Sequence, residues 1–273
     1  MIFNFQKYNY FFETSGYLNN SKPVLMFLHG FASDSRDWNE VIHLLPDTFH
    51  WITIDLPGFG KSNIPADTKF YSSEFMVELL NEFTNYLNVE KINLVGYSMG
   101  GRLALSYVKK NGHKLSSLIL ESTSPGLKTE NERRLRIASD AALAEYIKSH
   151  TLQDFINYWK SLPLFNSQKK LTDEENKLIF KRMLELNKNG LIGSLSGFGA
   201  GTMSSLWNSL DEITVPTLLI SGQLDEKYLG INSEMSELIP NSEWVILEDA
   251  GHNTHLEKPE EFVNLLCSFV QKH

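Results

Sequence analysis

The nine residues LVGYSMGGR, at positions 94–102, are the stretch that decides the fold. They place Gly96, Ser98 and Gly100 in a G-x-S-x-G pattern between an apolar, strand-like run and the helical run GRLALSYVKKNG (residues 101–112). In a nucleophile elbow the serine occupies a sharp turn from strand to helix, and the flanking glycines leave room for the two elements to cross closely. The pattern alone also occurs in ordinary glycine-rich turns, but the strand before it and the helix after it favour a nucleophilic Ser98.

The segments around this turn alternate between strand-like and helical patterns. Residues 73–88 carry apolar side chains at a spacing of four, which predicts an amphipathic helix that can cover a sheet, and a second such helix begins at Pro259. The strand-like runs are PVLMFLHGF (23–31), WITIDLPG (51–58), INLVGYS (92–98), SSLILES (116–122), VPTLLISGQ (215–223) and SEWVILEDAGH (242–252). This alternation predicts an α/β fold with a mostly parallel central sheet flanked by helices.

The character of the chain changes after Glu121. Charged residues and helical spacing dominate from there to about Leu210, and strand patterns return only afterwards. We therefore predict two parts: a core formed by residues 1–121 and 211–273, and a helical lid inserted into it as residues 122–210.

A nucleophilic serine needs two partners from elsewhere in the chain. Its hydroxyl is a weak nucleophile at neutral pH, so an imidazole must take its proton and an acid must orient that imidazole. Asp225 in GQLDEKY follows one predicted strand, and His252 in AGHNTH follows the next. The rival acid Asp249 is too close to His252 in the same loop to occupy a separate strand end. The order serine, acid, histidine predicts an α/β-hydrolase fold with Ser98, Asp225 and His252 as its triad.

Two further features near these motifs bear on chemistry. LHGF, at residues 28–31, resembles the His-Gly segment that lends one backbone N–H to an oxyanion hole, so the expected donors are the amides of Phe31 and Met99. His255 follows His252 by three residues and could suggest a metal pair, but no acidic or cysteine cluster supports it. We predict no metal.

The bulk composition excludes several classes of protein. A chain of 273 residues with 42% apolar content can bury one large core with a lid, and its formal charge of −8 argues against binding to nucleic acid or an anionic membrane. The N-terminus lacks a secretory pattern, and the apolar runs fall far short of the roughly 20 residues that span a bilayer. The single cysteine, Cys267, can form no internal disulfide. We expect a cytoplasmic protein without nucleic-acid or membrane partners, and its oligomeric state stays open.

Six segments carry a more specific resemblance. They are GYSMGGR (96–102), ESTSPGLKTENERRLRIASD (121–140), FINYWKSLPLF (155–165), GFGAGTMSSLW (197–207), GQLDEKY (222–228) and AGHNTHLEKPEEF (250–262). Over most of its length the chain resembles the MenH-type 2-succinyl-6-hydroxy-2,4-cyclohexadiene-1-carboxylate synthases of menaquinone biosynthesis. The resemblance implies an enzyme without a cofactor. Such an enzyme eliminates pyruvate from 2-succinyl-5-enolpyruvyl-6-hydroxy-3-cyclohexene-1-carboxylate and uses its triad as a base.

The resemblance also implies residues that bind the substrate. By motif position, Arg102 and Arg136 match carboxylate-binding arginines, Tyr97 matches the tyrosine before the serine, and Trp159 matches an aromatic residue of the lid wall. A third arginine of the lid has no aligned counterpart, since Arg182 is about one residue out of step. Guanidinium groups grip carboxylates in bidentate pairs, so the implied partner is a small polycarboxylate substrate.

Simpler alternatives stay open at this point. Arg102 could lie on a helix surface, Arg136 could pair with Asp140 at helical spacing, and Trp159 could belong to the lid core. The elbow and triad equally suit an esterase or a carbon–carbon bond hydrolase, and a non-catalytic receptor could retain the fold. The lid distinguishes these functions, because esterases favour an apolar pocket whereas ERRLR (132–136) together with Arg102 predicts a cationic one.

Overall fold

The computed structural model describes residues 1–18 and 21–273, and its centre is a sheet of eight strands. The strands are β1 (Ile2–Phe5), β2 (Tyr8–Thr14), β3 (Val24–Leu28), β4 (His50–Ile54), β5 (Ile92–Tyr97), β6 (Leu115–Glu121), β7 (Thr217–Gly222) and β8 (Ser242–Leu247). Their spatial order is β1-β2-β4-β3-β5-β6-β7-β8. The β1–β2 and β2–β4 pairs are antiparallel and the other pairs are parallel, which confirms the predicted fold class.

Helices cover both faces of this sheet. They are α1 (Asn39–Leu44), α2 (Ser73–Leu87), α3 (Met99–Asn111), α4 (Glu130–Ser149), α5 (Leu152–Ser161), α6 (Asp173–Met183), α7 (Lys188–Phe198), α8 (Glu226–Leu238), α9 (Thr254–Glu257) and α10 (Pro259–Lys272). In β3, Met26 and Leu28 join an apolar cluster with α2 and α3, while Leu25 and Phe27 join a second cluster with α10. Both faces of the strand are buried, and that explains why it is apolar at every position.

The first two strands were not among the predicted ones. They form an antiparallel hairpin in which Ile2 lies opposite Phe11, and Tyr10 and Phe12 are buried. The alternation of aromatic and polar residues in this segment has the period of a strand, so the signal was present in the sequence. The six predicted strands and the two predicted amphipathic helices, now α2 and α10, are all found.

Residues 122–210, which we call the lid, connect β6 to β7 and contain α4 to α7 with no strand among them. The lid is anchored by buried side chains that include Phe155, Ile156, Leu191 and Phe198. The lid leaves the core at the carboxyl end of β6, and because β7 runs parallel to β6, the chain returns to the opposite edge of the sheet before β7 begins. In the described part of the chain, no helix combines the length and the apolar character needed to cross a membrane.

Candidate active site

Ser98 lies at the turn between β5 and α3 in a backbone conformation that few residues adopt. Its φ is 49° and its ψ is −104°, which is strained for a residue with a side chain. Its backbone N–H donates to the carbonyl oxygen of Glu121 at 2.9 Å. A Cβ placed on Gly100 would lie 2.3 Å from the carbonyl oxygen of Leu28, so α3 can approach β3 this closely only with glycine there. The turn has the geometry of a nucleophile elbow.

Asp225 and His252 meet Ser98 from the ends of two neighbouring strands, β7 and β8. His252 Nε2 lies 3.0 Å from Ser98 Oγ, and His252 Nδ1 lies 2.6 Å from Asp225 Oδ2. Both partners are buried, whereas the rival acid Asp249 is exposed and pairs with Lys170. With Nδ1–H donating to the carboxylate, Nε2 is the nitrogen that can accept the serine proton.

Aromatic rings from three elements surround the imidazole of His252. The ring centroids of Tyr228, Tyr97 and Phe165 lie 4.7, 5.4 and 6.2 Å from it. Tyr228 comes from α8, Tyr97 from the end of β5, and Phe165 from the lid. Sequence reasoning missed Tyr228 and Phe165 as site residues, because their contact with the imidazole arises only when distant segments pack together.

Ser98 and His252 open onto a cavity of about 610 Å³ between the core and the lid. This volume lies in the range of about 300 to 1,000 Å³ that is typical of small-molecule sites. Four of the predicted substrate-binding residues line it with Ser98: Tyr97, Arg102, Arg136 and Trp159. The structure therefore brings the predicted lid and core residues together over one serine.

Arg102 extends from α3 into this cavity without an acidic partner. Its guanidinium lies 4.9 Å from the centroid of the Phe198 ring, and Nη1 lies 3.8 Å from the sulfur of Met203. Among residues 1–18 and 21–273 it takes part in no ion pair. Burial, with the nearby Arg136 charge, lowers the pKa of Arg102 to about 10. A desolvated cation of this kind is suited to an anionic ligand.

Arg136, on α4, makes the helical ion pair that the sequence left open. Its Nε lies 2.7 Å from Asp140 Oδ1, and the Asp140 side chain is almost fully buried. Because this bond uses Nε, it leaves the two terminal nitrogens of the guanidinium for a second anion, and Arg136 lines the cavity. The pair therefore orients Arg136 without excluding a ligand.

Lys227 is a third cation on the cavity wall, and the sequence did not indicate it. It lies in α8, two residues after Asp225, and it lines the cavity together with both arginines. Desolvation lowers the pKa of Lys227, and the charges of Arg136 and Arg102 act in the same direction. A bound carboxylate would neutralise part of this positive field and would therefore raise the pKa of Lys227.

The two expected oxyanion donors come from two segments, the loop after β3 and the start of α3. Phe31 lines the cavity, and Met99 is the first residue of α3, directly after Ser98. The first backbone N–H groups of a helix have no acceptor within the helix, so the Met99 amide is one of these donors. Their role as a pair stays a prediction.

The side chain of His255 pairs with the carboxylate of Glu121. Its Nδ1 lies 2.6 Å from Glu121 Oε2, and both side chains are fully buried. In the residues that the structure describes, no group of three or more His, Cys, Asp or Glu side chains is arranged to hold a metal ion.

Comparison with known proteins places this geometry in a family. Residues 23–259 match the model of the α/β-hydrolase fold family. A Bacillus subtilis protein provisionally named 2-succinyl-6-hydroxy-2,4-cyclohexadiene-1-carboxylate synthase is 41% identical over 92% of this chain and 91% of its own length. The synthase of that name from Enterobacter sp. (strain 638) is 31% identical over 91% of this chain and 92% of its own. The solved structure of MenH from S. aureus, 37% identical, covers 96% of this chain and 98% of its own with a TM-score of 0.91.

The chain belongs to the MenH synthase family of α/β hydrolases. In this MenH-family chain the structure brings four of the five residues implied by the resemblance to the Ser98 cavity. The exception is Arg182, which lines a smaller adjoining cavity of about 70 Å³ and donates from Nη1 to the carbonyl oxygen of Arg36 at 2.9 Å. It does not line the Ser98 cavity, because the end of α6 lies against the loop before α1. Lys227 is the third cation there.

Proposed function

We propose that this chain eliminates pyruvate from 2-succinyl-5-enolpyruvyl-6-hydroxy-3-cyclohexene-1-carboxylate to give 2-succinyl-6-hydroxy-2,4-cyclohexadiene-1-carboxylate, the step of menaquinone biosynthesis for which its relatives are named. One observation carries the proposal beyond the family name. A serine aligned with a histidine and a buried aspartate opens into a cavity with three cations. Such a wall suits a substrate with several carboxylates and does not suit a neutral acyl chain.

The proposed mechanism uses Ser98 as a base that His252 activates. His252 Nε2 takes the hydroxyl proton, Asp225 stabilises the imidazolium, and Ser98 Oγ removes a proton from the carbon next to a substrate carbonyl. As the resulting enolate collapses, a carbon–carbon double bond forms and the carbon–oxygen bond to the enolpyruvyl group breaks. The enolpyruvate leaves and takes up one proton at its methylene carbon to become pyruvate, which balances the proton that Ser98 and His252 took from the substrate. The amides of Phe31 and Met99 are the proposed donors to the enolate oxygen.

The cations orient the substrate in this proposal. Arg102 has no acidic partner in the described structure and Arg136 keeps two guanidinium nitrogens after pairing with Asp140, so each can bind one carboxylate. Lys227 can meet a third as a point charge. Charge-assisted hydrogen bonds of this kind are shorter and stronger than neutral ones, and they hold the reacting carbon in reach of Ser98.

The test is to supply the cyclohexene substrate and follow pyruvate release beside the hydrolysis of simple aryl esters. Replacing Ser98 by alanine removes the proposed base, so pyruvate release should fall by about 10⁴- to 10⁶-fold. Substrate binding, measured by calorimetry, should persist in Ser98→Ala because the cations remain.

Three results would contradict the proposal. Fast ester cleavage without pyruvate would identify a hydrolase, because the same serine geometry also serves acyl transfer. Pyruvate release by Ser98→Ala at the wild-type rate would remove the serine from the mechanism. Tight binding with neither activity in the wild-type protein would identify a receptor.

A further inference from the structure

Glu121 and His255 form a buried ion pair outside the cavity. Glu121 ends β6, His255 lies in α9, and both side chains have 0% exposure. Glu121 Oε2 lies 2.6 Å from His255 Nδ1, while Oε1 accepts from Thr254 Oγ1 at 2.7 Å and from the backbone N–H of His255 at 3.0 Å. Neither residue belongs to the described wall of the Ser98 cavity, so the proposed reaction does not use them directly.

The pair is more important for geometry than for stability. Burial alone would lower the pKa of His255, but the Glu121 carboxylate raises it above its ordinary value, and Asp37 and Glu257 act in the same direction. The Glu121 carboxylate therefore favours a protonated His255 Nδ1 that donates to it. Buried ion pairs contribute little net stability, because the desolvation of both charges offsets their attraction.

Glu121 forms hydrogen bonds with Ser98 and with the segment that follows His252. Its carbonyl oxygen accepts from the backbone N–H of Ser98 at 2.9 Å, which fixes the strained turn. Its carboxylate holds Thr254 and His255, which follow His252 closely in the chain. One residue at the end of β6 thus fixes the serine through its backbone and the histidine segment through its side chain.

The ring of His255 also supports the side chains beside the serine. It stacks on Trp38 with a centroid distance of 4.0 Å and an interplanar angle of 23°. Another neighbour, Tyr97, has its ring centroid 5.0 Å from that of His255 and 5.4 Å from that of His252. We therefore expect a shift of the His255 ring to displace Tyr97 and, through it, the imidazole of His252.

We propose that Glu121 and His255 are positioning residues that set the distance between Ser98 Oγ and His252 Nε2. The inference rests on the proposed function only in requiring that Ser98 and His252 act as a pair. That contact is 3.0 Å long, and a misplacement of about 1 Å can lower a rate by about 100-fold.

Two variants, one at Glu121 and one at its hydrogen-bond partner Thr254, and one matched control test this role. Glu121→Gln keeps the size of the side chain but presents an amide N–H₂ where His255 Nδ1 donates. Thr254→Val removes a single hydrogen bond to Glu121 at constant shape. Ser117→Ala is the control, because Ser117 is also buried on β6 and donates to Asn93 Oδ1 at 2.7 Å, near the opposite end of the strand.

Two rates are measured for each folded variant: pyruvate release, and phosphonylation of Ser98 by a fluorophosphonate. In the second reaction an Oγ–P bond forms, fluoride leaves, and the serine proton passes to His252. We expect Glu121→Gln to lower kcat and the phosphonylation rate together by about 10- to 100-fold, and Thr254→Val to lower both by about 3- to 10-fold. KM should change by less than about twofold. Ser117→Ala should keep both rates while lowering the melting temperature.

The two readouts separate this inference from the proposed function. A wild-type protein that is phosphonylated but releases no pyruvate refutes the proposed function, and the phosphonylation rates of the variants still decide the positioning role. If Glu121→Gln does not fold, Thr254→Val decides it. Folded variants that keep both rates at the level of Ser117→Ala, or that change KM alone, overturn the inference.

Discussion

Lys227 shows how a single residue can add a charge to a cavity wall that motifs describe only in part. The sequence indicated two arginines and a third, Arg182, that proved to lie in the adjoining cavity. Lys227 stands in the segment GQLDEKY, but the sequence does not mark it as a site residue, because a lysine two residues after an acid is ordinary on a helix surface. Only the closure of the lid over α8 turns it into a cavity residue beside Arg102.

We predict that Lys227→Gln raises KM for the tricarboxylate substrate about fivefold, the upper end of what a solvent-accessible ion pair contributes. Because this contact is the same in ground and transition states, kcat should change little. Steady-state kinetics of pyruvate release measures both. The control is Lys110→Gln, an exposed lysine of α3 outside the cavity wall. An unchanged KM in Lys227→Gln would remove the third cation from the site.

The residues of the proposed triad could be predicted because each follows a strand with a strong apolar signal. Ser98, Asp225 and His252 are fixed by the topology, since neighbouring parallel strands end at the same edge of the sheet. The rings around the imidazole could not be predicted in this way. Tyr228 and Phe165 contact His252 only through the packing of α8 and the lid, and no local pattern records that packing.

At the scale of secondary structure, α7 illustrates how glycine lets the lid contact the core. A Cβ on Gly190 would lie 1.8 Å from the carbonyl oxygen of Gly58, and one on Gly193 would lie 2.5 Å from the ring of Tyr71. The glycine-bearing side of α7 therefore packs directly on the loop after β4. The same helix carries Leu195 to the cavity wall.

Gly190→Ala should therefore lower the free energy of unfolding by about 1–3 kcal/mol, because the clash is with backbone and α7 must move. KM should rise as well, since α7 lines the cavity. The matched control is Gly230→Ala in α8, where an added Cβ meets nothing within 4 Å. That change should stabilise the protein by about 0.5–1 kcal/mol through helix propensity. Denaturant unfolding compares the two, and equal effects would contradict the close packing of α7.

The starts of three lid helices carry a capping signal that is visible in the sequence. α4, α5 and α6 each begin with a capping box, formed by Thr129 with Glu132, Thr151 with Asp154, and Thr172 with Glu175. A threonine followed three residues later by an acid marks a helix start, so these boundaries could have been assigned from sequence. The packing of α4 on α7 could not, because it joins segments about 50 residues apart with no shared motif.

At the scale of the whole molecule, Arg36 ties the lid to the core. Its Nε and Nη2 bind the carboxylate of Asp34, at 2.9 and 2.7 Å, and its Nη1 binds Glu185 of the lid at 2.7 Å. The carbonyl oxygen of Arg36 accepts from Arg182. The two contacts with Glu185 and Arg182 join residues more than 140 positions apart, so no sequence pattern indicates them. They also explain why Arg182 is directed away from the Ser98 cavity.

The Asp34–Arg36 contact makes stability depend on pH in a direction that can be tested. Burial alone would raise the pKa of Asp34, but hydrogen bonds from Arg36 outweigh it and hold that pKa below its ordinary value of 3.8. A depressed folded-state pKa adds stability above the unfolded pKa, and this stability is lost as pH falls through the folded one. In Arg36→Gln burial dominates instead and raises the pKa of Asp34, so we expect a loss of about 1–3 kcal/mol at pH 7. This loss should shrink as pH falls through the raised pKa of the variant and then through the lowered pKa of the wild-type protein.

Urea unfolding across this pH range measures the difference between the wild-type protein and Arg36→Gln. Lys69→Gln is the control, because Asp67 and Lys69 repeat the same spacing and the same cap at an exposed site, with side chains 51% and 67% accessible. Solvent already satisfies both charges there, so the control should follow the wild-type curve. A constant gap between wild type and Arg36→Gln at every pH would show that Arg36 stabilises the lid by packing alone and that its charge is not involved.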